Sequence, residues 1–185
     1  MTSTLTREPA HRERACRRLL TAARCRFAED RLADAITAGI DQVVLVGDAL
    51  DTFCAQNPYR GLRVARIGCF DEESMAGMEF AISRPAFVIH IGGDRTLANL
   101  AALVRCVSTL RPGTQLVFDY LPVATPRATV ARLLCDTGFE VLEDLGARTL
   151  ASRYLVLPDS ANHSAEPRVV RARIRNNAGR PPSSL

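Results

Sequence analysis

The chain of 185 residues contains no lysine and no tryptophan, and aromatic residues make up only 5% of it. All 24 basic residues are therefore arginines, and the formal net charge is +4. Proteins that bind nucleic-acid strands combine basic stretches with aromatic side chains that stack on the bases. Because no such combination is present, the composition predicts no nucleic-acid partner.

Long apolar segments are also missing. No stretch approaches the roughly 20 apolar residues that span a bilayer, and the first residues lack the apolar core of a signal peptide. We therefore expect a cytoplasmic protein without membrane contact. The six cysteines show no Cys-x-x-Cys spacing, so the sequence predicts neither a disulfide framework nor a metal site.

Strand-like and helix-like segments alternate along the chain. Residues 9–38 carry apolar side chains at helical spacing, which predicts one or two helices. Apolar segments predict strands at 42–47, 62–67, 85–91, 114–120, 139–145 and 168–175, and the segments between them predict helices at 71–82, 94–110, 125–137 and 148–154. This alternation predicts an α/β sheet with helices on both faces. We expect a single domain over residues 9–175, between disordered segments at 1–8 and 176–185.

Helix starts have their own signals in two places. Asp94 precedes a strongly amphipathic segment and is predicted to cap it. Thr125-Pro126 has the cap-then-proline order that favours a helix start.

The segment 42–52 has the pattern of a ligand-binding loop. Val43 to Val46 are apolar without alternation, which is typical of a parallel strand covered on both faces. Gly47 allows a sharp turn at the carboxyl edge of the sheet, where ligands bind in open α/β folds. The same pattern also fits an ordinary strand-to-helix turn.

Other residues could carry chemistry. His90, at the end of a predicted strand beside Gly92-Gly93, is a candidate general base, although a histidine with a satisfied ring in the sheet explains it equally. Cys54 lies near a predicted helix start, which lowers a thiol pKa, but no base lies near it in the sequence. Asp119 and Tyr120 follow a strand and could face a cleft.

Several segments together resemble the class I S-adenosylmethionine-dependent methyltransferases of the leucine carboxyl methyltransferase type. Arg24-Cys-Arg-Phe-Ala-Glu-Asp is similar to that family's Arg-x-Arg-Phe-x-Asp-Asp. The segment 42–52 is similar to its Gln-Val-Val-x-Leu-Gly-Ala-Gly-Leu-Asp-Thr. Later matches cover 110–120, 138–146 and 151–155.

The resemblance implies a function and a set of site residues. Arg24 and Arg26 would hold the carboxylate of S-adenosylmethionine, while Gly47, Asp51 and Thr52 would line that cofactor. The activity would be O-methylation of a carboxyl or hydroxyl group on a small molecule, in secondary metabolism. The fold would be a Rossmann-like methyltransferase sheet with the strands in the order second, first, third, fourth, C-terminal, fifth. The C-terminal strand would run antiparallel to its neighbours.

The sequence also departs from the family pattern. Asp48 and Ala49 replace small residues of the loop, and Arg66 and Gly68 stand where the family has an acid for the ribose hydroxyls. The segment 68–85 is too short to hold a further strand, so one edge strand is predicted to be missing. An alternative is therefore a degenerate methyltransferase-fold protein without methyl transfer, acting as a partner subunit or in cofactor-independent chemistry.

Overall fold

The computed structural model describes residues 7–48, 50, 53, 55–68, 82–93, 96–155 and 166–176. The helices in these ranges are α1 (Arg7–Thr37), α2 (Leu97–Ser108), α3 (Arg127–Asp136) and α4 (Ala147–Tyr154). The strands are β1 (Gln42–Val46), β2 (Arg63–Ile67), β3 (Phe87–His90), β4 (Gln115–Tyr120), β5 (Phe139–Leu145) and β6 (Arg168–Ile174). Each observed strand falls inside its predicted segment, and the first predicted helical segment forms one helix.

The six strands form one sheet in the order β2-β1-β3-β4-β6-β5. The first four run parallel, whereas β6 lies antiparallel between β4 and β5. Both the order and the antiparallel C-terminal strand confirm the predicted topology. Among the described strands, β2 and β5 are the edges.

Helices pack on both faces of this sheet because β1 is apolar on both sides. All five residues of β1 are buried. Val44 and Val46 pack in the cluster that contains the buried residues of α2 and α3. Val43 and Leu45 point to the opposite face, where they share a cluster with α1. The unbroken apolar run thus acts as predicted for a central parallel strand.

Two predicted helix caps are wrong. Thr96, and not Asp94, caps α2, because its side chain accepts a hydrogen bond from the Asn99 N–H at 3.3 Å. Helix α3 begins at Arg127 without a side-chain cap. The N–H of Thr125 instead donates to the Leu121 carbonyl at 2.8 Å, so Thr125 belongs to the turn before the helix.

Several predictions concern residues outside the described ones. These are the loop residues Ala49, Asp51, Thr52 and Cys54, most of the helix at 71–82, and most of both terminal segments. Within the described part of the chain, no helix is both long and apolar enough to cross a membrane.

Candidate functional site

A cavity of about 530 Å³ opens at the carboxyl edge of the sheet. Its walls come from the ends of β1, β2 and β3 and from helices α1 and α2. The lining residues are Thr21, Cys25, Val46, Gly47, Asp48, Leu50, Gly68, His90, Ile91, Gly92, Gly93, Asn99, Ala102 and Leu103. Small-molecule sites typically measure roughly 300–1,000 Å³ and lie at this edge of open α/β sheets, so the cavity has the size and place of a ligand site.

Gly47 forms the turn that ends β1. Its φ is +72°, a left-handed conformation that glycine adopts without strain. Its N–H donates to the Ile67 carbonyl at 2.8 Å, which ties the turn to the end of β2. A Cβ at this position would meet no atom of the described residues within 4 Å. The absent side chain therefore leaves open space on the cavity wall.

Asp48 and Arg66 form an ion pair at the rim of the cavity. Arg66 Nη2 lies 3.5 Å from Asp48 Oδ1, and Arg66 Nε donates to the Gly47 carbonyl at 3.3 Å. The Asp48 side chain is fully exposed and that of Arg66 is 40% exposed. The two charged departures from the family pattern thus partner each other.

His90 lies against Gly93 inside the cavity. A Cβ at Gly93 would come within 2.3 Å of His90 Cε1 and 2.6 Å of Nε2. Real Cβ atoms do not approach so closely, so only glycine fits under the ring in this position. The half-buried imidazole of His90 therefore depends on Gly93 for its place in the cavity wall.

A buried ion pair lies behind the cavity wall. Arg24 Nε on α1 is 2.9 Å from Asp119 Oδ2 on β4, and these side chains are 3% and 0% exposed. Asp119 Oδ1 also accepts the N–H of Gly92 at 3.0 Å, while Arg24 Nη2 donates to Thr21 Oγ1 at 2.9 Å. This network links α1 and β4 to the loop that follows His90.

Arg26 lies elsewhere. Its side chain is 64% exposed and pairs with Glu29 at 3.4 Å and Asp30 at 3.2 Å. It lines a second cavity of about 300 Å³ together with Phe53 and Tyr59. Arg24 and Arg26 therefore sit at different places on the molecule.

The structure brings only some of the predicted site residues together. Gly47 and His90 line the large cavity, Arg24 lies behind its wall, and Arg26 lines the second cavity. Asp51 and Thr52 lie outside the described residues.

Three polar residues of the cavity were not predicted, namely Thr21, Cys25 and Asn99. Thr21 and Cys25 flank Arg24 at positions −3 and +1 on α1, which is the only signal in the sequence that could have marked them. Burial raises the pKa of the Cys25 thiol, and this opposes its use as a nucleophile. Among the described residues, no group of His, Cys, Asp and Glu side chains is arranged to hold a metal ion.

Comparisons with known proteins agree with the motifs and with the topology. Residues 2–71 match the leucine carboxyl methyltransferase family model. None of the curated proteins matches the chain.

Solved structures are similar in fold at low sequence identity. The StiE O-MT structure of residues 961–1257 shares 10% identity, with 83% of this chain and 75% of that chain covered and a TM-score of 0.53. A DUF574 family protein from Streptomyces avermitilis shares 14% identity over 86% and 82% of the two chains, with a TM-score of 0.50. Geranyl diphosphate C-methyltransferase from Streptomyces coelicolor, in complex with Mg²⁺, geranyl diphosphate and S-adenosyl-L-homocysteine, shares 12% identity over 83% and 79%, with a TM-score of 0.48.

These findings confirm the resemblance to the leucine carboxyl methyltransferases that the sequence motifs indicated. The chain has the Rossmann-like α/β fold of methyltransferases, and over residues 2–71 it is similar to the leucine carboxyl methyltransferases.

Proposed function

We propose that the protein is an S-adenosylmethionine-dependent O-methyltransferase that acts on a carboxyl or hydroxyl group of a small molecule, as in secondary metabolism. The observation that carries this proposal is the 530 Å³ cavity at the carboxyl ends of β1, β2 and β3, with the Gly47 turn in its wall. The motif match at residues 2–71 supports the choice of cofactor.

The cavity wall fits a nucleoside cofactor. Gly47 leaves open space where any other residue would project a side chain, so a ligand can approach the backbone of the turn closely. Leu50, Ile91 and Leu103 supply apolar wall for a base, and Asn99 is positioned to donate or accept a hydrogen bond. Asp51 and Thr52 follow Gly47 in the sequence and are proposed to complete the cofactor site. The carboxylate role of Arg24 and Arg26 stays a prediction of the resemblance, and binding of the nucleoside does not depend on it.

When bound, S-adenosylmethionine supplies a methyl group on a positively charged sulfur, which is open to attack by an acceptor oxygen. The main task of the protein is then to align that oxygen, and such alignment needs few catalytic side chains. His90 is the proposed general base for a hydroxyl acceptor, because its imidazole lines the cavity and a neutral imidazole accepts a proton near neutral pH. A carboxylate acceptor has no proton to lose and would not need it.

Titration calorimetry with S-adenosylmethionine and S-adenosylhomocysteine tests cofactor binding. We expect one site with a Kd tighter than about 1 mM. Ala102 is an exposed residue of α2 that lines the cavity. Ala102→Trp should abolish binding, because the large indole side chain would occupy the space of the ligand. The matched control is Ala128→Trp, at an exposed position of α3 that does not line it. Equal binding by the two variants would show that the ligand sits elsewhere.

Release of S-adenosylhomocysteine in the presence of phenolic and carboxylic acid acceptors tests the transfer reaction. With a hydroxyl acceptor, His90→Gln should lower the rate by about 10²–10⁴-fold and leave the affinity for S-adenosylhomocysteine within about threefold. An unchanged rate would exclude His90 as the base.

A second candidate function is the degenerate one, without methyl transfer. It is favoured by one observation: Arg66 occupies the end of β2, where the family has an acid, and pairs with Asp48 at the cavity rim. A protein of this kind would bind neither ligand in the calorimeter and would co-purify with a partner subunit.

A further inference from the structure

The cavity differs from a site built for an anion. Among the described residues that line it, Asp48 is the only carboxylate and no arginine is present. The nearest cationic rim residue, Arg66, already pairs with Asp48 and with the Gly47 carbonyl. An approaching carboxylate would thus meet a negative side chain and no uncommitted guanidinium in this part of the wall.

Arg24, which the resemblance assigns to a ligand carboxylate, is held by a carboxylate of the protein itself. Asp119 pairs with it at 2.9 Å, and both side chains are buried. Asp119 is in turn fixed by the Gly92 N–H. The Arg24 side chain is 3% exposed and its Nε is held by Asp119, so a ligand carboxylate that took the place of Asp119 would leave that residue as a fully buried charge without its partner. Breaking a buried ion pair in this way is strongly unfavourable.

We infer that the cavity binds nucleoside sulfonium and thioether ligands through the nucleoside and the sulfur, without recognition of an amino-acid carboxylate. Asp119 takes the place that such a carboxylate would occupy at Arg24. The ligand class is therefore wider than the cofactor alone and includes 5′-thioether nucleosides that lack the amino-acid end. This inference rests on the proposed function, because it concerns the ligand of the same cavity.

The test compares two ligands in the unaltered protein. S-adenosylhomocysteine carries the amino-acid end with its carboxylate, whereas 5′-methylthioadenosine has a methyl group on sulfur in place of that whole end, the amino group included. We expect their dissociation constants, measured by calorimetry, to agree within about threefold. A site that uses the carboxylate would prefer S-adenosylhomocysteine by more than about tenfold, because a charge-assisted hydrogen bond contributes at least that factor. Such a preference would overturn the inference.

A substitution reports on Arg24 directly. Asp119→Asn removes the internal negative charge but keeps an oxygen that can accept the Gly92 N–H. We expect this variant to shift the preference toward S-adenosylhomocysteine by about fivefold or more, since Arg24 can then pair with the ligand. The matched control is Asp144→Asn. Asp144 is also a largely buried carboxylate held by arginines, Arg127 and Arg168, but it is not among the cavity residues.

The possible outcomes separate this inference from the proposed function. Equal affinities in the unaltered protein, with a shift in Asp119→Asn alone, support the inference. A shift of the same size in Asp144→Asn, or none in Asp119→Asn, contradicts the assigned role of Asp119. Binding of neither ligand to the unaltered protein refutes the proposed function, and the inference falls with it. The comparison in the unaltered protein decides the case even if Asp119→Asn does not fold.

Discussion

The buried ion pair of Arg24 and Asp119 predicts a large loss of unfolding free energy when Arg24 is replaced. In Arg24→Met, the Asp119 carboxylate, which is 0% exposed, loses its cation but remains buried. Removing one partner of such a pair costs about 3–5 kcal/mol. In Arg26→Met, the lost pairs involve a side chain that is 64% exposed, so water screens them and the cost is at most about 1 kcal/mol.

The two substitutions are well matched. Both remove an arginine from α1, two residues apart, and both introduce the same flexible apolar side chain. Urea unfolding with linear extrapolation measures the free energy of unfolding of each variant. We expect Arg24→Met to lose at least about 2 kcal/mol more than Arg26→Met.

A double substitution identifies the cause of this loss. In Arg24→Met with Asp119→Leu, the uncompensated charge is gone, and the remaining defect is the Gly92 N–H without its acceptor, worth about 1–3 kcal/mol. The double variant should therefore be more stable than Arg24→Met alone. A double variant that is less stable, or an Arg24→Met variant as stable as Arg26→Met, would refute the view that this pair anchors the loop 91–93 in the cavity wall.

Two further predictions concern the cavity and the outer face of α1. Gly93→Ala should displace the His90 ring, since its Cβ would lie 2.3 Å from Cε1, and should lower the rate of methyl transfer to a hydroxyl acceptor by about 10²–10⁴-fold, as loss of the proposed base does. Gly146→Ala, where a Cβ would lie 2.9 Å from Arg168 Nη1 outside the cavity, is the control, and an equal loss would contradict the assigned contact. Tyr154→Phe should lower the free energy of unfolding by about 1 kcal/mol through loss of the 2.9 Å hydrogen bond to Asp30. Burial, and then this bond, raise the pKa of Tyr154 above 10.0. The folded protein therefore holds the phenol proton more tightly, so stability is fully present below pH 10 and falls as the pH rises further. Urea unfolding at increasing pH should show a shallower fall for Tyr154→Phe, and an identical pH profile would refute the coupling.

The sheet could be predicted from the sequence because its signals are local. An apolar run without alternation, such as Val43 to Val46, marks a strand buried on both faces wherever it occurs in the chain. The strand order and the direction of β6 followed from the resemblance, since the motifs appear in the same sequence order as in the family. Residue type alone does not determine where a helix starts. Thr96 and Asp94 are both acceptable caps by residue type, and in the structure it is Thr96 that accepts the Asn99 N–H.

The position of Gly47 at the carboxyl edge of β1 was likewise determined by the sequence, and so was that of His90 at the end of β3. A residue that follows a parallel strand must lie at that edge, whatever the rest of the fold does. The partners of these residues were not determined in this way. The loop after β3 places Gly93 under the His90 ring, and only tertiary packing places Asp48 beside Arg66.

The two arginines of the amino-terminal motif show most clearly what the sequence alone does not determine. The sequence determined that Arg24 and Arg26 lie on one helix. In an α-helix of 3.6 residues per turn, side chains two positions apart are rotated by about 200° and so point to nearly opposite sides. The tertiary structure decided what each side chain meets. Arg24 faces the sheet and pairs with Asp119, a residue distant in the sequence, whereas Arg26 faces outward to Glu29 and Asp30. The reason is physical: the identity of a buried charge's partner depends on which strand packs beneath the helix, and spacing along the chain does not contain that information.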